Sequence, residues 1–135
     1  MADVTVKQLD EFEAIFGGGF FRVRAGFGVS SFGIAVMELP PGFEDYPEHD
    51  QEHDRQEEVY TALSGRATLI AGGQEHELEP GVWVRVGPSE KRKIVTGSEP
   101  ARVLAVGGTV GGAYSPPEFT EDGAADPLAH KHHAH

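Results

Sequence analysis

The sequence predicts a single all-β domain, a sandwich or barrel of short antiparallel strands, and three observations carry that prediction. A chain of 135 residues suits one domain of ordinary size. Glycine (18) and proline (9) make up a fifth of it and fall as regular punctuation rather than in one block. Between the breaks lie short apolar or alternating runs, recurring about every 8 to 10 residues, the spacing of an all-β sandwich or barrel.

The elements follow in order. Val6, Leu9, Phe12 and Phe16 recur at three- and four-residue intervals, Thr5 and Gln8 can form a capping box, and Gly17-Gly18-Gly19 ends the pattern. That spacing predicts one short helix covering an end of the barrel. A strand over 32–39 stops at Pro40-Pro41-Gly42. Further strands follow over 59–63, 66–71, 74–79, 82–86, 91–96 and 101–106, each closed by a glycine or proline. Residues 1–29 are expected to pack on the barrel, 30–110 to form it, and 111–135 to be an extended arm fading into disorder. The aromatics Phe20, Phe21, Phe27, Phe32, Phe43, Tyr60 and Trp83 read as core or dimer contact.

Charge narrows the partners. A net charge of −11 opposes nucleic-acid binding, which draws on basic residues. No apolar run approaches the ~20 residues of a membrane span, and no basic region precedes an apolar stretch at the N-terminus. Cysteine is absent, which removes disulfides, thiolate ligands and thiol nucleophiles and makes the cytoplasm the expected location. The acidity is concentrated: Glu44, Asp45, Glu48, Asp50, Glu52, Asp54, Glu57 and Glu58 against Arg55 alone contribute −7 of the −11.

Inside that acidic segment sit His49 and His53. If 49–53 is extended, His49, Gln51 and His53 share one face, and a turn through 54–56 returns the chain with Glu58 and Tyr60 opposite them. Two imidazoles and a carboxylate suit a divalent ion such as Mn, Fe, Ni or Zn. His49-Asp50-Gln51-Glu52-His53 also spells H-x-x-E-H, the inverted zinc-peptidase pattern. That chemistry needs a helix, whereas this segment follows Pro47 and has no apolar stripe to pack.

Gly42, His49, His53, Glu58 and Gly65, within Gln56-Glu57-Glu58-Val59-Tyr60-Thr61-Ala62-Leu63-Ser64-Gly65, resemble the first motif of the cupin superfamily. Gly73 and Leu78-Glu79-Pro80-Gly81 through Pro88 echo the second. The resemblance covers roughly residues 30 to 108 and implies a single-domain double-stranded β-helix, or jelly-roll barrel. It also implies a homodimer and a metal held by histidines and the glutamate. Aligned on Glu58, the histidine pair falls on Gln51 and His53, and the last histidine falls near Arg92. An arginine cannot ligate and repels a cation.

Two functional readings follow. In one, His49, His53 and Glu58 hold a divalent metal for an oxygenase or isomerase acting on a small organic substrate. In the other there is no metal: Gln51, Glu58, Tyr60 and Arg92 line a pocket for a small anion or carboxylate, with Arg92 paired to Glu58 or clamping the ligand. A third possibility is a structural barrel without a ligand. His76 alternates with Leu78 and is expected to point inward as a further pocket residue. The ending Ala129-His130-Lys131-His132-His133-Ala134-His135 binds transition metals adventitiously, whatever its origin.

Overall fold

The structure, a computed structural model, describes residues 2–127. The histidine-rich ending lies outside these residues. Among them no helix is long and apolar enough to cross a membrane.

Among the described residues nine strands form: β1 (Ala14–Ile15), β2 (Phe20–Phe21), β3 (Gly33–Leu39), β4 (Gln56–Gly65), β5 (Ala67–Ala71), β6 (Gln74–Leu78), β7 (Trp83–Val86), β8 (Arg92–Val95) and β9 (Ala101–Thr109). They form two antiparallel sheets, ordered β1-β2-β3-β9-β4-β7 and β6-β5-β8. Strand alternation sends Met37, Leu39, Tyr60, Ala62, Val86, Ala101 and Val103 of the large sheet inward. There they meet Ala67, Leu69, Ala71, Leu78 and Ile94 of the small sheet, and these buried side chains form one core between the layers. At the end of β4 the ladder bulges between Ala62 and Ser64 and closes on Gly65, whose φ is +72°. A Cβ there would lie 1.9 Å from the Pro100 carbonyl oxygen, so only glycine fits.

The link between β3 and β4 positions the site. It runs antiparallel to β8: Gly42 N–H donates to Gly97 O (2.8 Å), and Thr96 N–H to Phe43 O (3.0 Å). His49 and Arg92 exchange both backbone bonds (3.1 and 2.8 Å). Phe43 and Tyr46 thereby pack against the core.

The N-terminal region differs from the helix expected over 5–16. Only a 3-10 turn, Leu9–Glu11, forms there; its capping box joins Gln8 to Glu11 rather than Thr5 to Gln8. Phe16, Gly17 and Gly18 take positive φ and turn the chain into a β1–β2 hairpin. Hairpin pairing onto β3 overrides the helical spacing, and the one α-helix, α1, comes later at Val23–Phe27. Phe12 and Val23 are buried with Val36 on the outer face of the large sheet.

Within the described residues the C-terminal arm is anchored to the N-terminal region, and the rest of the expected arm, 128–135, lies outside them. Arg22, almost fully buried, donates to the carbonyls of Phe119 (2.8 Å) and Ala124 (2.9 Å) and pairs with Glu13. Arg24 approaches Glu121 at 2.9 Å, and the Phe119 ring lies against Phe16 and Phe20.

Candidate functional site

The candidate site is built on two rows of paired residues crossing the large sheet. One row is Gly33, Gly107, Glu58 and Val86; the next is Ala35, Ala105, Tyr60 and Val84. On β3 and β9 the inward positions therefore carry hydrogen or methyl, while on β4 they carry a carboxylate and a phenol. Ala35 and Ala105 stay partly exposed at this end of the barrel. The glycines make room for their neighbours. A Cβ at Gly107 would sit 3.1 Å from Glu58 Cγ, and one at Gly33 would sit 2.6 Å from the Tyr114 hydroxyl.

Arg92 fills the centre. Fully buried at the start of β8, it donates from Nη1 to Glu58 Oε1 (2.6 Å), from Nη2 to Gly87 O (2.6 Å) and from Nε to Glu90 O (3.0 Å). Tyr60 donates to the same Oε1 (2.7 Å), so two donors converge on one carboxylate oxygen. Oε2 has no protein donor among the described residues, and the Glu58 side chain remains 16% exposed. Burial lifts the Tyr46 phenol far above its usual range; nearby Glu58 adds to the shift, while the Tyr60 hydroxyl and Arg92 oppose it. Burial also lifts Tyr60, with Tyr46 and Glu58 adding to it. Tyr114, from the C-terminal arm, is raised by burial, and Arg24 opposes that shift. All three phenols thus stay protonated as donors at neutral pH.

The histidines do not join this cluster. Residues 52–55 form a turn, with Arg55 N–H donating to Gln51 O (2.8 Å) and Arg55 itself at φ +58°. The turn breaks the alternation that would have aimed His53 inward. His53 is 77% exposed and lies 3.5 Å from Asp54. His49 stacks on Tyr46 and directs Nδ1 to Pro47 O (2.9 Å). The Gln51 amide, turned to donate to Asp54 Oδ2 (3.1 Å), is likewise held within the loop. His76 sits half-buried on β6, paired with Leu69, and makes no hydrogen bond to the cluster. The same turn rules out the helix that H-x-x-E-H would need.

The metal implied by the resemblance does not fit these residues. An ion at Glu58 would face a buried guanidinium 2.6 Å from the same carboxylate, and the nearest histidines are turned to solvent or bonded to the loop. Among the described residues no group of three histidine or acidic side chains converges on a common point. The structure does bring Glu58, Tyr60 and Arg92 together. To these it adds Tyr46 and Tyr114, which the sequence reading passed over. Tyr46 carried a signal, as an aromatic within a stretch of charge −7; Tyr114, in a glycine- and proline-rich arm, carried none.

The family model described as the cupin domain matches residues 35–107. The chain belongs to the cupin family. Among solved structures it is similar to a cupin protein from Bacteroides fragilis, with TM-score 0.63 and 21% identity over 93% of this chain and 98% of that one. It also resembles a sugar phosphate isomerase of the cupin superfamily from Silicibacter pomeroyi, with TM-score 0.63 and 24% identity over 78% and 76%. A third likeness is to a DMSP lyase from Ruegeria pomeroyi, with TM-score 0.53 and 24% identity over 68% and 45%. Among curated protein sequences none matches. These likenesses to solved structures establish a shared cupin fold.

Proposed function

We propose that this cupin is a metal-independent binding module for a small polar molecule, held by Glu58 at the partly exposed end of the barrel. One observation carries the reading: the buried Arg92 guanidinium lies 2.6 Å from Glu58, so an internal cation already neutralises the carboxylate that would otherwise recruit a metal. The anion clamp expected of Arg92 gains no support, because each of its three nitrogens donates to the protein. The flanking segment of charge −7 also repels anions. A neutral or cationic ligand bearing hydroxyl or amine donors suits Glu58 Oε2.

A second reading, a metal-dependent isomerase or lyase, is favoured by the names of two structural neighbours. It would require the 52–55 turn to open and Arg92 to leave the core. The experiment uses protein lacking residues 128–135, purified without added metal. Thermal stabilisation by small polyols or amines, lost in Glu58→Gln, with substoichiometric metal by elemental analysis, supports the binding module. A stoichiometric metal that disappears in His53→Ala overturns it.

A further inference from the structure

The C-terminal arm crosses the candidate site as it leaves β9. On β3 the side chains of Met37 and Leu39 point into the core, so alternation turns Gly33 and Ala35 the same way. What a Cβ on Gly33 would meet is the Tyr114 phenol, its hydroxyl at 2.6 Å and its Cζ at 3.2 Å. Tyr114 is therefore inserted against the inner face of the large sheet, in the row that runs from Gly33 over Gly107 to Glu58. Gly107 adds no side chain to that row, and Glu58 Cγ leans to 3.1 Å from the point its Cβ would take. Two strand spacings, roughly 10 Å of bare backbone, separate the residue that seats the phenol from the residue that carries the carboxylate.

The arm is fixed at two ends and loose between them. At the front, Val110 N–H donates to Arg55 O (2.9 Å), in the turn that sets the direction of His53. At the rear, Arg22 holds the carbonyls of Phe119 and Ala124, Arg24 pairs with Glu121, and Phe16 N–H donates to Asp126 Oδ2 (2.8 Å). Between these anchors, no residue from Gly111 to Pro116 hydrogen-bonds to another part of the chain among the described residues. Gly111, at φ +66°, is followed by Gly112 and Ala113, all three exposed, a run of small residues able to absorb the dihedral changes of a hinge. The half-buried Tyr114 ring seats this span on the barrel, and no hydrogen bond has to break to unseat it.

We propose that residues 111–118 are a lid on the Glu58 site, opened by withdrawal of the Tyr114 ring and closed by its return; this rests on the reading of Glu58 as the binding residue. Glycine at position 33 is what lets the lid seat, since any side chain there would strike the phenol. The chain has no cysteine, so Ala35→Cys places a single thiol on the same inner face, between Gly33 and the buried Met37. Its alkylation by iodoacetamide reads the lid without any ligand, so a failure here is separate from a failure of Glu58 to bind. Alkylation should be slow in the folded protein, and Tyr114→Gly should speed it by about tenfold with the β-sheet circular dichroism unchanged. Arg22→Ala, which keeps the phenol but releases the rear anchor, should speed it several-fold. In the unsubstituted chain, amide hydrogens of residues 111–115 should exchange well before those of β9. Alkylation as fast as in the unfolded chain, or indifferent to Tyr114→Gly, would overturn the proposal. So would amides of 111–115 protected as long as those of β9, which would make the phenol a fixed wall.

Discussion

Replacing Arg92 by methionine keeps an unbranched side chain of similar length but removes every polar contact at the centre of the site. Three groups lose a donor: the Glu58 carboxylate, 16% exposed and left with the Tyr60 hydroxyl but no countercharge, and the carbonyls of Gly87 and Glu90. Removing one partner of a buried ion pair costs about 3–5 kcal/mol, since the remaining charge loses its compensation. For a domain of this size that lowers the melting temperature by roughly 10–20 °C. The decisive assay is a double-mutant cycle by chemical denaturation, with Arg92→Met, Glu58→Gln and the pair together. A coupling of about 2 kcal/mol is expected, because the double variant leaves no uncompensated charge. Additivity within about 0.5 kcal/mol would refute the reasoning that the guanidinium and the carboxylate neutralise each other in the core.

Other outcomes follow from the same structure. Tyr46 and Tyr60, both buried, hold their protons well above the ordinary phenol range, so the folded state resists their ionisation and its stability falls as pH rises past ~10, by about 1.4 kcal/mol per pH unit for each of the two. Most of the phenolate absorbance should appear in one step coincident with loss of β-sheet circular dichroism; gradual titration of all three phenols in folded protein would contradict this. Gly65→Ala sets a methyl against the Pro100 carbonyl at a positive φ and should cost more than about 3 kcal/mol in urea unfolding. Arg22→Ala should free the C-terminal arm, read as new protease cleavage between residues 111 and 127 while the barrel survives. His53→Ala, at an exposed position, should change stability by less than about 0.5 kcal/mol.

The barrel was legible in the sequence because glycine and proline mark most strand ends and alternation marks the faces between them. The expected strand over 32–39 is β3 to within a residue, and β5 to β8 each fall within a predicted run. β4 and β9 extend beyond their predicted ends, since Gln56 to Glu58 and Gly107 to Thr109 pair with each other despite poor strand composition. The N-terminal helix failed because its apolar spacing serves two purposes: Phe12 packs on the outer face while Ile15 joins a hairpin. At the site, Glu58 and Tyr60 were readable from period two. His53 was not, because a four-residue turn sets its direction and nothing in the acidic run marks that turn. The pairing of Arg92 with Glu58 was readable from the resemblance, whereas the burial of Arg22 and Arg24 was hidden, since each has partners in the distant C-terminal arm.

The clasp made by Arg22 also bears on synthesis. Its carbonyl partners, Phe119 and Ala124, are separated from it by 97 and 102 positions and emerge from the ribosome well after it. Until they do, the hairpin that carries this guanidinium has no way to bury it at acceptable cost. The segment around Arg22 thus settles only after the later one, and a nascent chain stalled short of residue 124 leaves it unlocked.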